Sequence, residues 1–348
     1  MGRPACLVCG GRAAVYVPYL GGHLCAKHFV EWFERRVRDT VERFGLVEPG
    51  DRVAVAVSGG KDSLALLSLL ARWSGEMGFE VFGVAVDEGI RGYREYKLEA
   101  LERLAGELGV PVYVGSFKEY VGFTLDEAVK VLSERGMEFS PCSVCGVFRR
   151  YVMNRVARER GATKLATGHN LDDEIQVYVM NLLKAHLEGV SREGIASAAG
   201  EEGLVPRIKP FYFVREKETL TYALLRGIWT PFVECPYVVY ALRHVVRHWI
   251  NEVASSDGEV KYRLLASKEA TRRLLGGAGR VTRRCVVCGE PSSKPVCKTC
   301  LFRAYLDASY ARLVAERVSG MWGALDRETR ALLRRVLEGE GGEAGGER

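Results

Sequence analysis

Eleven consecutive residues constrain this chain most: Val53-Ala54-Val55-Ala56-Val57 runs directly into Ser58-Gly59-Gly60-Lys61-Asp62-Ser63. A short, wholly apolar run predicts a strand buried on both faces, as in a parallel sheet. A helix over about 62–73 follows, so the Gly-Gly segment lies between a strand's carboxyl end and a helix N-terminus. Glycines there let backbone N–H groups crowd an anion, and the helix start adds the positive end of its dipole. Lys61 brings a cation, Ser58 and Ser63 bring hydroxyl donors, and Asp62 brings a carboxylate able to hold Mg²⁺. The segment reads as a phosphate-binding loop. It matches neither the Walker A pattern nor the dinucleotide fingerprint. A glycine-rich turn capped by serines is the plain alternative.

The same alternation continues. Strands are predicted at 81–87, 112–115 and 164–168. Helices are predicted at 92–109, from Cys145 to Gly161, and at 171–186. This is the pattern of a doubly wound parallel α/β sheet. Further on, 187–206 reads as a loop, 208–226 as a βα-like pair, and 240–255 and 260–275 as helices. Before the sheet, Phe29, Trp32, Phe33, Val37 and Val41 recur at helical spacing over 26–44. Residues 276–280 read as a linker, and the Gly/Glu-rich tail from 339 as disordered. The expected organisation is an N-terminal metal module (1–30), a catalytic domain (31–275), a C-terminal metal module with helices (276–338) and the tail (339–348).

A second segment, Gly168-His169-Asn170-Leu171-Asp172-Asp173-Glu174, follows a predicted strand and starts a helix. Loops at the carboxyl ends of parallel strands face the ligand crevice. Two adjacent acids there, Asp172 and Asp173, are expected to hold Mg²⁺ on phosphates. Helix N-capping is their plainer role.

The ten cysteines fall into three groups. Cys6-x2-Cys9 and Cys25-x2-His28 are two ligand pairs for one tetrahedral zinc, with His23 as a competing ligand. Cys285-x2-Cys288 and Cys297-x2-Cys300 form a four-cysteine zinc ribbon pattern, a closed structural site. Arg280, Arg283, Arg284, Lys294 and Lys298 surround it and suggest contact with an RNA backbone; a solvated basic face is the alternative. The middle group, Cys142, Cys145 and Cys235, has only three thiols. Three thiolates leave one position of a metal centre open, which suits a catalytic centre or a [4Fe–4S] cluster with one free iron. A Cys142/Cys145 redox pair with Cys235 as a core thiol is the competing reading.

The order CxxC/CxxH, SGGKDS, PCSVCG, GHNLDDE, ECPY and a four-cysteine module resembles tRNA 2-thiolation enzymes of the TtcA/TtuA superfamily. SGGKDS is similar to the PP-loop of ATP pyrophosphatases. The likeness runs from residue 4 to about 302 and is closest to the TtuA group, which thiolates 5-methyluridine 54 in the tRNA T-loop. GHNLDDE, VPRIKPFY (205–212), YALLRGI (222–228) and VECPY (233–237) carry that choice. Cys145-Gly146-Val147-Phe148-Arg149-Arg150 looks instead like the sister branch acting on wobble uridine 34. The resemblance implies ATP and Mg²⁺ at Ala56, the phosphate loop, Arg149, Gly168 and Asp173. It also implies a [4Fe–4S] cluster on Cys142, Cys145 and Cys235, and two zinc ions. Lys61, Asp62, Arg149 and Asp173 would then be catalytic together with the three thiols. Family members often carry lysine where Arg149 stands, so any role needing a titratable amine is not carried over. The implied partners are tRNA and a ubiquitin-like sulfur carrier with a thiocarboxylated C-terminus; a homodimer is also expected.

Composition sets the outer bounds. With 47% hydrophobic and 27% charged residues the chain is an ordinary globular one. A net charge of +6 permits a polyanionic partner. No apolar run is long enough to span a membrane, and the N-terminus lacks a signal peptide's apolar core, so a cytoplasmic location is expected. One Gln and four Asn suggest a thermophilic source. Competing functions are a PP-loop amide-forming ligase, which needs no central cysteines, and a zinc-dependent RNA-binding protein with an idle loop.

Overall fold

Apolar runs become strands where both faces are covered, and that rule places the phosphate loop. The computed structural model describes residues 4–197, 203–276 and 283–338. A hairpin of β1 (Val15–Val17) and β2 (Gly22–Leu24) leads into α1 (Ala26–Arg43). Phe29, Phe33, Val37 and Val41 form the buried stripe of α1, at the spacing an amphipathic helix requires. Next come β3 (Arg52–Ala56), α2 (Lys61–Met77), β4 (Glu80–Asp87), α3 (Arg94–Leu108) and β5 (Val112–Ser116). They are followed by α4 (Phe117–Val121), α5 (Leu125–Glu134), α6 (Pro141–Glu159) and β6 (Lys164–Thr167). Then α7 (Leu171–Leu183), α8 (Leu187–Arg192), β7 (Arg207–Ile208) and α9 (Glu216–Leu225) complete the α/β unit.

Among the described residues the central sheet has five parallel strands in the order β5-β4-β3-β6-β7. The chain moves outward one way from β3 through β4 to β5, and the other way through β6 to β7. The crevice beyond the ends of β3 and β6 is therefore a topological switch point, where ligands bind in open α/β sheets. Ala56 pairs with Thr167 there, so the phosphate loop and the Gly168–Glu174 segment leave the sheet side by side.

Beyond α9 lie α10 (Leu242–Ser256) and α11 (Val260–Leu274). They pack on α7 through Leu171, Ile175, Tyr212, Val246, Ile250 and Leu265. A small hairpin of β8 (Arg283–Arg284) and β9 (Pro291–Ser292) is followed by α12 (Lys298–Leu306), α13 (Ala308–Val318) and α14 (Arg327–Glu338). Phe302 of α12 lies 5.1 Å from the Phe139 ring and 6.4 Å from Phe148 of α6, centroid to centroid. One hydrophobic core is thus shared between the catalytic sheet and the C-terminal helices.

The structure departs from the sequence reading in three places. The helix expected after Cys145 begins at Pro141 instead. Ser140 caps it by accepting from Ser143 N, and proline occupies the first turn, where its missing N–H costs nothing. Both cysteines therefore sit inside the helix's opening turns. The stretch 187–206 is not wholly a loop, because α8 occupies its start. Helices α4 and α5 were not anticipated. The linker at 276–280, Gly276 apart, and the tail from 339 lie outside the described residues. No helix among the described residues is long and apolar enough to cross a membrane.

Candidate active site and metal centres

The phosphate loop is held by its own serines. Ser58 N donates to Ser63 Oγ at 3.1 Å, and Ser63 Oγ donates to Gly60 O at 2.9 Å. Gly59 has φ +77°, and a Cβ there would lie 2.1 Å from the Lys97 carbonyl oxygen, so only glycine fits. Gly168 is required for another reason: its Cβ would sit 3.0 Å from the Asp62–Ser63 backbone, where the two loops cross.

Charges fill the mouth of this crevice. Lys61 Nζ lies 2.7 Å from Asp62 Oδ2 and 3.0 Å from Glu216 Oε1. Asn170 Nδ2 donates to Asp62 Oδ1 at 3.2 Å, and Asp173 closes a capping box with Asn170. Burial pushes the Asp62 carboxyl up to about 6; Lys61 pulls it down, while Asp173 and Glu216 push it further up. Burial works against the Lys61 ammonium, yet Asp62 and Glu216 outweigh it and hold the amine above its usual range. Asn170 links Asp62 to Asp173, and these two carboxylates are the hard oxygen donors a magnesium ion carried on phosphates would take. Asp172 does not join them. It is buried, accepts from Glu216 N at 2.8 Å and forms an ion pair with Lys261. Successive residues on a helix point about 100° apart, so only one of two adjacent acids can face the crevice.

The three central thiols lie on two segments that pack together on the other side of the loop. Cys142 Sγ donates to the Tyr237 carbonyl at 3.4 Å, which brings the opening turns of α6 against the segment carrying Cys235. That segment also crosses the phosphate loop: Thr230 Oγ1 donates to Gly59 O at 2.9 Å, and Lys97 Nζ donates to Pro231 O at 2.7 Å. Burial raises all three thiols, Cys145 to about 11. Arg149 counters this, with Nη2 3.3 Å from Cys145 Sγ. Its Nε lies 2.8 Å from Glu88 Oε1, and Glu88 Oε2 lies 3.2 Å from Arg94 Nε. Arg94 Nη1 donates to Ser58 O at 2.8 Å. A chain of charges therefore joins a cysteine to the phosphate loop. Glu88 and Arg94 carry no motif, and nothing in the sequence singled them out.

The donor sets can be tested against the groups they would hold. Among the described residues, two clusters bring their ligand atoms within 4.8 Å of one another: Cys6, Cys9, Cys25 and His28, and Cys285, Cys288, Cys297 and Cys300. Cys285 and Cys300 sulfurs are 3.9 Å apart, and those of Cys288 and Cys297 are 3.6 Å apart. A tetrahedral zinc with Zn–S of 2.3 Å needs sulfurs about 3.8 Å apart, so this set fits zinc. In the first cluster, His28 Nδ1 stands 3.4 Å from Cys6 Sγ and 3.2 Å from Cys25 Sγ, and His23 is not among the donors. The central thiols form no such tight group. Three soft sulfur donors, beside two guanidiniums that share a single carboxylate, are the donor chemistry an anionic iron–sulfur cluster would take. Of the basic residues around the C-terminal cluster, Lys294 pairs with Asp326 at 3.2 Å and Glu328 at 3.3 Å, and Arg280 lies outside the described residues.

The geometry can be set beside known proteins. A family model described as a PP-loop domain matches residues 30–234. The tRNA-5-methyluridine(54) 2-sulfurtransferase of Thermus thermophilus is 38% identical, across 90% of this chain and 96% of that one. Cytoplasmic tRNA 2-thiolation protein 1 of Chlamydomonas reinhardtii is 33% identical, across 91% and 89%. Among solved structures, the U34-tRNA thiolase NcsA from Methanococcus maripaludis with its [4Fe-4S] cluster superposes with a TM-score of 0.74 at 30% identity, covering 87% of this chain and 96% of that one.

Proposed function

The chain belongs to the PP-loop family of tRNA-thiolating sulfurtransferases, and from that premise we propose that it uses ATP to exchange the C2 oxygen of 5-methyluridine 54 in tRNA for sulfur. One observation carries this reading: the segments bearing three thiols pack together beside a phosphate loop, and Cys145 is joined to that loop through Arg149, Glu88 and Arg94. An ATP-using site and a soft-metal site so coupled serve a reaction that must both activate oxygen and supply sulfur.

The chemistry follows from the electrophile. A uridine C2 carbonyl is a poor target for a sulfur nucleophile. Its oxygen attacks the α-phosphorus of ATP, the bond to pyrophosphate breaks with its electron pair, and the N3 proton passes to water. Sulfur then adds at C2 as hydrosulfide, its proton passes to N3, and the C2–O bond breaks with its electron pair as the original oxygen departs on AMP. Lys61 and the loop amides stabilise charge on the phosphates, and Asp62 with Asp173 would hold Mg²⁺. A cluster on three thiolates would keep one iron clear of protein ligands and so able to present sulfur. Arg149, fixed by Glu88, holds positive charge against Cys145 throughout. The sulfur source in this reading is a thiocarboxylated carrier protein.

A second reading keeps the chemistry and moves it to wobble uridine 34. The Cys145–Arg150 segment and the likeness to U34-acting NcsA favour it. Mass spectrometry of nucleosides from tRNA of a deletion strain separates the two. Loss of 2-thioribothymidine is the expected result; loss of a wobble thiouridine would transfer the assignment to position 34.

A further inference from the structure

Helix α10 carries Arg243 and Arg247 one turn apart, and both reach into the phosphate crevice. Arg243 Nη1 lies 2.7 Å from Asp173 Oδ1. Arg247 Nη2 lies 2.8 Å from Glu216 Oε1, the oxygen that also meets Lys61 Nζ at 3.0 Å. A spacing of four residues puts the two guanidiniums on one helix face. The helix is fixed from another side, where Val246 and Ile250 are buried against Leu171, Ile175 and Leu265. The arginines thus extend from a packed element over the carboxylates that flank the loop.

Neither carboxylate explains its arginine as a surface ion pair alone. Asp173 would serve with Asp62 as a metal donor, and Glu216 competes with any phosphate for Lys61. A magnesium-bound polyphosphate would draw Asp173 to the metal and Lys61 to a phosphate. The two arginines would then lose their carboxylate partners beside the new anion. We propose that Arg243 and Arg247 bind the β- and γ-phosphates of ATP and take up the charge of the departing pyrophosphate. The inference rests on the ATP-cleaving reading above. In that step the α-phosphorus loses its bond to the bridging oxygen, the electron pair leaves on pyrophosphate, and two guanidiniums with Lys61 and Mg²⁺ neutralise it. Arginine suits this role, because its fork matches phosphate oxygens two at a time.

Isothermal titration of the metal-loaded protein with inorganic pyrophosphate and MgCl2 tests the proposal, with AMP titrated in parallel. Arg243→Gln and Arg247→Gln are each expected to weaken pyrophosphate about 10- to 100-fold, the range of a charge-assisted hydrogen bond, and to leave AMP affinity within about twofold. Arg243→Lys is expected to recover part of the loss. Pyrophosphate affinity unchanged in both Gln variants, with Lys61→Ala impaired, would overturn the proposal and leave the arginines as staples of α10. Lys61→Ala binding pyrophosphate like the wild type would overturn the phosphate-loop reading and the proposal with it. Should a Gln variant fail to fold, Arg243→Lys and Arg247→Lys carry the test: several-fold weaker pyrophosphate at equal AMP affinity supports the assignment, and equal affinity for both refutes it.

Discussion

Asp62 shows how one residue joins stability to chemistry. Its carboxyl is pushed up to about 6 by burial, against the pull of Lys61. The native state therefore holds this proton more tightly than the unfolded chain between about pH 4 and pH 6, and this group's contribution to stability falls as pH rises through that window. Above it the ionised carboxylate is a standing cost, offset when Mg²⁺ binds. Asp62→Asn should stabilise the metal-free fold at pH 7.5 by about 1 kcal/mol, discounted from the full shift because the side chain is 23% exposed. No gain is expected at pH 4, and pyrophosphate release should be abolished. Urea denaturation at the two pH values and a pyrophosphate assay check this; a gain at pH 4 as large as at pH 7.5 would remove the electrostatic cause. Much at this scale was legible, because Lys61, Asp62 and Gly59 sit in one hexapeptide. Asp172 was misread as a metal donor because adjacency in sequence says nothing of the 100° turn between neighbours. Glu88, Arg94 and Arg149 come from separate segments, and only folding puts them in one ion-pair chain.

Among the elements, α10 and α11 depend on two buried lysines. Lys261 pairs with Asp172, and Lys268 pairs with Glu174, which also meets Lys209 at 2.7 Å. These charges pin the helical pair to α7 and so set where Arg243 and Arg247 stand. Lys261→Met should cost about 3–5 kcal/mol, because it strands Asp172 in the interior, and adding Asp172→Leu should restore much of the loss. Denaturant titration of both variants measures it, and a single variant within about 1 kcal/mol of wild type would mean that Asp172 finds another partner. Strands were easy to read because burial on both faces leaves an unbroken apolar run. The start of α6 was misplaced because Pro141 looks like a breaker when it is a first-turn residue behind the Ser140 cap. Helix α5 did carry a signal, the Thr124-x-x-Glu127 capping box.

At the scale of the whole molecule, the three cysteine groups are expected to have separate roles. The C-terminal cysteine cluster shares its core with α6, and Glu290 beside it bonds Arg158 of α6 at 2.8 Å. Cys285→Ser should therefore lower the melting temperature of the whole protein and remove one of two zinc ions per chain, since structural zinc is folding free energy. Cys235→Ser should keep both zinc ions, the fold and ATP binding, while iron falls and thiolation stops. Elemental analysis with thermal melts distinguishes them. Equal melting of Cys285→Ser and wild type would show the ribbon to be an appendage, and a Cys235→Ser protein that still thiolates would detach the cluster from the reaction.

If ATP activates the oxygen that sulfur replaces, that oxygen must leave on AMP. Transcribed tRNA carrying 18O at C2 of the target uridine, turned over once under anaerobic conditions with ATP and a sulfur source, tests it directly. The label is expected in the phosphate of AMP, one atom per thiolated nucleoside. Label released into water, with unlabelled AMP, would contradict it.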